Sequence, residues 1–143
     1  MSLKDRASDN FKKGLNCSQS VIEAYSKTSA LDPETAKAVS AGFGGGMGRA
    51  QKTCGAATGA IMAIGCKYHD SKDPSGSKEI AYKKTSEFLK RFEEINGSTE
   101  CHELLGVDIK TDEGKAKYKK KNMSETKCLK YVQDACDILE KMM

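Results

Sequence analysis

The stretch Gly42–Cys66, GFGGGMGRAQKTCGAATGAIMAIGC, decides how the rest of the chain is read. A glycine-dense loop runs straight into an apolar helix of small residues. Thr53 is the expected N-cap and Cys54 the first helical residue, which sets its thiol beside N–H groups without intrahelical partners, at the positive end of the macrodipole. A thiolate is favoured there. Gly55 and Gly59 lie one turn apart with Ala56 and Ala60 beside them, so a neighbouring backbone can come close. Glycine inside a helix costs up to about 1 kcal/mol relative to alanine, so two of them point to a packing or site requirement. A tightly packed helix with an inert cysteine is the plain alternative.

The loop itself has no lysine followed by Ser or Thr, and Met47 stands at the last glycine position of G-x-G-x-x-G, so a nucleotide-phosphate cradle is not indicated. Gly44, Gly45 and Gly46, with Gly55, are instead expected to shelter whatever the cysteine holds and to offer it backbone N–H groups.

Outward from this stretch, the helix signals are consistent. Ser2 caps a first helix through Lys13 with Leu3, Ala7 and Phe11 on one face, and Gly14 stops it. Asn16 and Gln19 have capping-box spacing and open a second helix, with Cys17 in its first turn and Val21, Ile22 and Tyr25 inward. Asp32-Pro33 starts a third, with Ala36, Val39 and Phe43 at helical spacing. After the central helix, His69–Ser77 is the expected surface loop. Lys78–Asn96 follows, with a seam of Ala81, Thr85, Phe88, Phe92 and Ile95, and Gly97 ends it. Ser98 or Thr99 caps a short helix over Glu100–Leu105 that contains Cys101. The lysine-rich Asp108–Asn122 is a solvated helix or loop, with a binding patch as the second reading. Ser124 then opens the last helix, where Cys128, Val132, Ala135, Leu139 and Met142 form another seam.

No strand-like alternation or repeat interrupts this pattern. The fold class is therefore all-α, a single domain over residues 1–143 built as a bundle of about five to seven helices. A chain of 143 residues can bury a full core without staples. The net charge of +4 leans on Lys115, Lys117, Lys119, Lys120 and Lys121, too narrow a basic face for a nucleic-acid reader. The longest apolar run, Ala56–Cys66, falls short of the roughly 20 residues a membrane span needs. The opening MSLKDRASDN has no signal-peptide core, so a cytoplasmic protein is expected. Six cysteines in such a chain point to metal or redox use more than to disulfides.

Cys17, Cys54, Cys101 and Cys128 each fall within about a turn of an expected helix start, on four different helices. Helix N-termini stabilise a thiolate or an anionic metal–sulfur cluster. Converged, the four would make a tetrathiolate site for a tetrahedral metal or an iron–sulfur cluster. Cys66 lies about 18 Å along the helix from Cys54, and Cys136 sits two turns inside the last helix, so both are taken as core or incidental thiols. There is no C-x-x-C. A distant pair such as Cys17 and Cys54 can still cycle between dithiol and disulfide. His102 and His69 are read as partly exposed histidines without a ligand role.

At these positions the chain resembles the redox-active family named for its cysteine pattern, C_GCAxxG_C_C. The resemblance runs through Asn16-Cys17-Ser18-Gln19, the glycine loop, Thr53-Cys54-Gly55-Ala56-Ala57-Thr58-Gly59, Cys101 before Glu103-Leu104-Leu105-Gly106, and Cys128 before Tyr131-Val132. It places the family's four cysteines on Cys17, Cys54, Cys101 and Cys128, although cysteine here precedes the glycine of the core motif rather than following it. A similar domain in a multi-haem cytochrome thought to hold an iron–sulfur centre makes that cofactor the implied one. The leading expectation is a redox module with these cysteines as metal ligands and an electron-transfer protein as partner, a homodimer being left open. A thiol/disulfide oxidoreductase with Cys54 as nucleophile and Cys17 as a second catalytic cysteine is the alternative. A helical interaction protein with buried thiols is the third.

Overall fold

The computed structural model describes residues 1–143. Its centre is the small-residue helix already singled out, spanning Gly55–Tyr68, with Ala56, Ala57, Ala60, Ala63 and Ile64 fully buried. Three helices precede it: α1 (Leu3–Lys12), α2 (Cys17–Ser26) and α3 (Pro33–Ser40). Counting the central helix as α4, four more follow: α5 (Pro74–Asn96), α6 (Cys101–Leu105), α7 (Asp112–Lys120) and α8 (Leu129–Met142). There are no strands, and the fold is all-α.

The glycines of α4 explain how its closest neighbour packs. A Cβ built on Gly59 would stand 2.7 Å from the Ser18 carbonyl oxygen, and one on Gly55 would stand 3.1 Å from the Cys17 Cβ and the Ser18 nitrogen. Helix α2 therefore lies against α4 at backbone-to-backbone range. The capping box holds the start of α2: Gln19 N–H donates to Asn16 Oδ1 at 2.9 Å, and Asn16 N–H donates to Gln19 Oε1 at 3.1 Å. That start carries Cys17 to the edge of α4.

The remaining helices complete the core around this pair. Phe88 and Phe92 of α5 stack with ring centroids 6.0 Å apart, and Phe92 meets Tyr131 of α8 at 6.2 Å. Val21, Ile22, Val132 and Leu139 fill the space between α2 and α8. Glu23 is buried there, where Asn10 donates to its carboxylate and Lys27 forms an ion pair with it at 3.2 Å. A second, smaller apolar cluster of Cys101, Leu105, Ile109 and Met123 is packed by Tyr118 and Cys128.

Several expectations shift. Helix α5 begins at Pro74, inside the expected His69–Ser77 loop, because Asp73 caps it and Pro74 takes the first helical position. Val39 and Ile95, expected inward, are exposed. Ile95 lies in the final turn of α5, past the buried Phe88–Phe92 pair and just before the left-handed exit at Gly97. The stretch readable as helix or loop is helical as α7, capped by Thr111, whose Oγ1 accepts from Gly114 N–H at 2.9 Å. The last helix starts with a π-helical stretch, Ser124–Cys128, before its regular part.

A four-cysteine cavity

A polypeptide turn of the wrong hand builds one side of the site. Gly45, Gly46, Met47, Gly48 and Arg49 all have positive φ, between 59° and 71°, and Gln51 follows at 57°. Long-range backbone bonds hold this turn: Gly48 N–H to Gly42 C=O, Gln51 N–H to Gly45 C=O and Lys52 N–H to Gly46 C=O, at 3.0, 3.1 and 2.9 Å. Met47 and Arg49 each carry a cost of roughly 1–2 kcal/mol in this conformation, which Gly45, Gly46 and Gly48 avoid. Gly46 has a second reason to be glycine, since a Cβ there would lie 2.8 Å from Cys101 Cβ. The turn thus rests directly against a cysteine.

The segment leaving the turn then pairs with the start of α6. Thr53 and Glu100 form an isolated antiparallel bridge, Cys54 N–H donates to Thr99 C=O at 2.8 Å, and Cys101 N–H donates to Lys52 C=O at 2.7 Å. These bonds bring together cysteines 47 positions apart. Gln51 reinforces the arrangement: its Nε2 donates to Val107 C=O and its Oε1 accepts from Ile109 N–H, both at 2.8 Å.

All four cysteines, Cys17, Cys54, Cys101 and Cys128, line one cavity of about 830 Å³. Gly44, Gly45, Gly46 and Gly55 line it too. Cys66 is exposed on α4 outside the cavity, and Cys136 is buried in the main core of α8. His102 and His69 are exposed and take no part in its wall.

Local placement of the thiols departs from the simple picture of four helix mouths. Cys17 and Cys101 are the first residues of α2 and α6, but Cys54 is itself the N-cap of α4, one position earlier than expected. Cys128 closes the π-helical stretch rather than opening a helix, so no row of free N–H groups surrounds it. Irregular turns of this kind recur at functional sites.

Burial, more than helix position, sets the acidity of these groups. Desolvation pushes the Cys54 thiol up to about 12, outweighing the Ala56 and Ala57 N–H groups that favour its thiolate. Cys101 is pushed up to about 11, by burial first and by the charge of Cys128 second, with the Gln51 hydrogen bond opposing. Cys17 is raised well above its ordinary value, chiefly because its S–H is held by Cys128. Cys128 moves the other way, down to about 7: Cys17 donates to it, burial opposes, and Tyr118 and the nearby Lys127 charge assist. Tyr118 Oη lies 3.6 Å from Cys128 Sγ. Cys54 was the expected reactive thiol, and the fold assigns the most acidic thiol to Cys128 instead. Cys17 and Cys128 shift in opposite directions, each the leading cause of the other's shift, and the charge of Cys54 also acts on Cys17.

The four thiols surround a volume without closing on a point, and no three His, Cys, Asp or Glu side chains are placed to hold a single metal ion. Gln51 and Tyr118 are the site residues that sequence reasoning missed. Gln51 has no periodicity to mark it, whereas Tyr118, a lone aromatic within a lysine-rich helix, carried a readable signal.

Fold and site together define an all-α protein that gathers thiols from four chain segments on the wall of one cavity. The profile described as "Putative redox-active protein (C_GCAxxG_C_C)" matches residues 15–142. This chain belongs to that family. No curated protein and no solved structure matches it. No helix is long and apolar enough to cross a membrane.

Proposed function

We propose that the four-thiol cavity is a redox centre that holds an iron–sulfur cluster for electron transfer or redox sensing, with Cys17, Cys54, Cys101 and Cys128 as ligands. The observation that carries this is the meeting, in one cavity, of cysteines from four separate segments. An all-thiol donor set with no carboxylate in the wall suits a soft metal. The cluster, when bound, would supply one-electron redox chemistry. The chain's own contribution is to hold the thiols, to exclude water with Leu104, Leu105 and Ile109, and to place the Tyr118 hydroxyl beside the sulfur of Cys128.

Anaerobic reconstitution with iron and sulfide tests this reading. Stoichiometric iron and acid-labile sulfide, with visible absorbance lost on changing any one of the four cysteines to serine and kept in Cys66→Ser, is the expected result. A well-folded protein that takes up no iron, or a quadruple Cys→Ser variant that takes up as much, refutes it.

A second reading has its own support, the opposed acidity shifts of Cys17 and Cys128, which line the same cavity and act on each other. Oxidation of that dithiol would form one S–S bond and release two electrons and two protons to an acceptor. Peptide mapping of the metal-free protein after mild oxidation would then show a reversible Cys17–Cys128 disulfide. Persistence of both free thiols excludes this chemistry.

A further inference from the structure

The charged residues on the cavity wall are all of one sign. Arg49 comes from the left-handed turn, and Lys115 and Lys119 come from α7; no Asp or Glu lines the cavity. None of the three is in an ion pair or makes a side-chain hydrogen bond, although five ion pairs form elsewhere. Lys115 and Lys119 are four residues apart and so lie on one face of α7, the face that also carries Tyr118 to the cavity. Lys117 and Lys120 do not line it. Arg49 is held by its backbone, with φ of 66°, and its Cγ would lie 3.0 Å from a Cβ on Gly45, so the side-chain stem runs along the glycine turn. A non-glycine residue kept in this region beside a site is a mark of function.

Two separate chain segments thus place exposed cations without ion-pair partners on the wall of the cavity that the thiols line. A concave wall of one sign concentrates counter-ions and speeds their arrival by roughly ten- to a thousand-fold. The volume, about 830 Å³, lies within the range of small-molecule sites, roughly 300–1,000 Å³. A protein face cannot enter such a cavity, but an organic anion can.

We infer that the cavity binds a small organic anion, carboxylate- or phosphate-bearing, with its charged end between Arg49 and the Lys115–Lys119 face and its body extending toward the thiols. That the anion serves the redox centre rests on the proposed function; that it binds does not.

The test uses metal-free, reduced protein carrying Cys66→Ser, so that the exposed thiol is silent. Two disulfide reagents probe the cavity: dithiobis(nitrobenzoate), with two carboxylates, and cystamine, with two ammonium groups. In each, a protein thiolate attacks one reagent sulfur, forming a mixed disulfide and releasing the other half as a thiolate. The expected result is that added salt slows the anionic reagent and speeds the cationic one. Lys115→Glu with Lys119→Glu lowers the anionic rate about tenfold or more at low salt, within the span for electrostatic steering. Lys117→Glu with Lys120→Glu, which makes the same change in net charge off the cavity wall, changes it far less. Citrate or inorganic phosphate, compared with potassium chloride at equal ionic strength, protects the thiols, and the better protector identifies the carboxylate or phosphate class. Equal effects of the two lysine pairs overturn the inference, as does protection by neither anion. Circular dichroism checks that each variant is folded. Iron content is not a readout here, so failure of the cluster reading is separately visible.

Discussion

Two glycine-to-alanine substitutions on one helix should act in opposite directions. A methyl group on Gly59 would sit 2.7 Å from the Ser18 carbonyl oxygen, 3.1 Å from Val21 Cβ and 3.2 Å from Ser18 Cα. Two of those atoms are backbone of α2 and cannot rotate away, so the two helices must separate by roughly half an ångström, at a cost of about 1–3 kcal/mol for overpacking a tight interface. Alanine recovers about 1 kcal/mol of helix propensity. Gly59→Ala is therefore expected to destabilise by up to about 2 kcal/mol. Gly65, on the same helix, has nothing within 4 Å of a built Cβ, so Gly65→Ala keeps only the gain and stabilises by about 0.4–1 kcal/mol. Urea unfolding of the metal-free, reduced protein measures both. With an m-value of about 2 kcal/mol/M, the Gly59 variant should lose up to about 1 M in midpoint, and the Gly65 variant should gain about 0.2–0.5 M. Because the same α2 backbone carries Cys17, the first substitution should also weaken iron uptake. A Gly59→Ala protein stabilised as much as Gly65→Ala would show that α2 and α4 are not in backbone contact.

Three further outcomes are expected of the metal-free protein. Alkylation of Cys128 by iodoacetamide, followed by mass spectrometry, should rise with an apparent pKa of about 7, with Cys54 protected, and Tyr118→Phe should move that midpoint upward by removing a hydrogen bond to the thiolate. Cys54, Cys101 and Cys136 have folded values raised to about 12, 11 and 12, so their neutral thiols contribute stability that is complete below the unfolded value of about 8.5 and declines as pH rises toward the folded values. Unfolding free energy should accordingly fall from about pH 9 to 11, and less steeply in Cys136→Ala; a flat profile would mean that these thiols are hydrated. Gln51→Ala leaves Val107 C=O and Ile109 N–H without their partner, at a cost of about 2–3 kcal/mol. Hydrogen exchange at the Ile109 amide and alkylation of Cys101 should both accelerate, and unchanged Cys101 reactivity would remove Gln51 from its positioning role.

Local chemistry made much of this protein legible. Asn16 with Gln19 announces the start of α2, Asp32-Pro33 that of α3, and the small side chains of α4 mark it as the helix others pack upon. These signals work because capping and helical periodicity involve neighbours a few residues apart. The same Asp-Pro signal at Asp73-Pro74 lost to the surrounding Ser and Gly, which suit loops as well as helix starts. Cys17, Cys54, Cys101 and Cys128 could be selected by their position near helix starts, a local property, and the cavity contains all four.

What no local reading could supply was acidity and partnership. The favoured thiolate at Cys54 rests on its own helix, but desolvation depends on everything packed around it, and that term prevails. Cys128 gains its low value from Cys17, 111 positions away, and from Tyr118 on a helix that composition describes only as solvated lysines. The pairing of 51–54 with 99–102 follows the same rule: each bond in it is made by groups whose proximity the fold creates. Helix type and boundary were set by the chain's nearest neighbours, whereas charge, burial and thiol pairing, being through-space quantities, were settled only when the helices met.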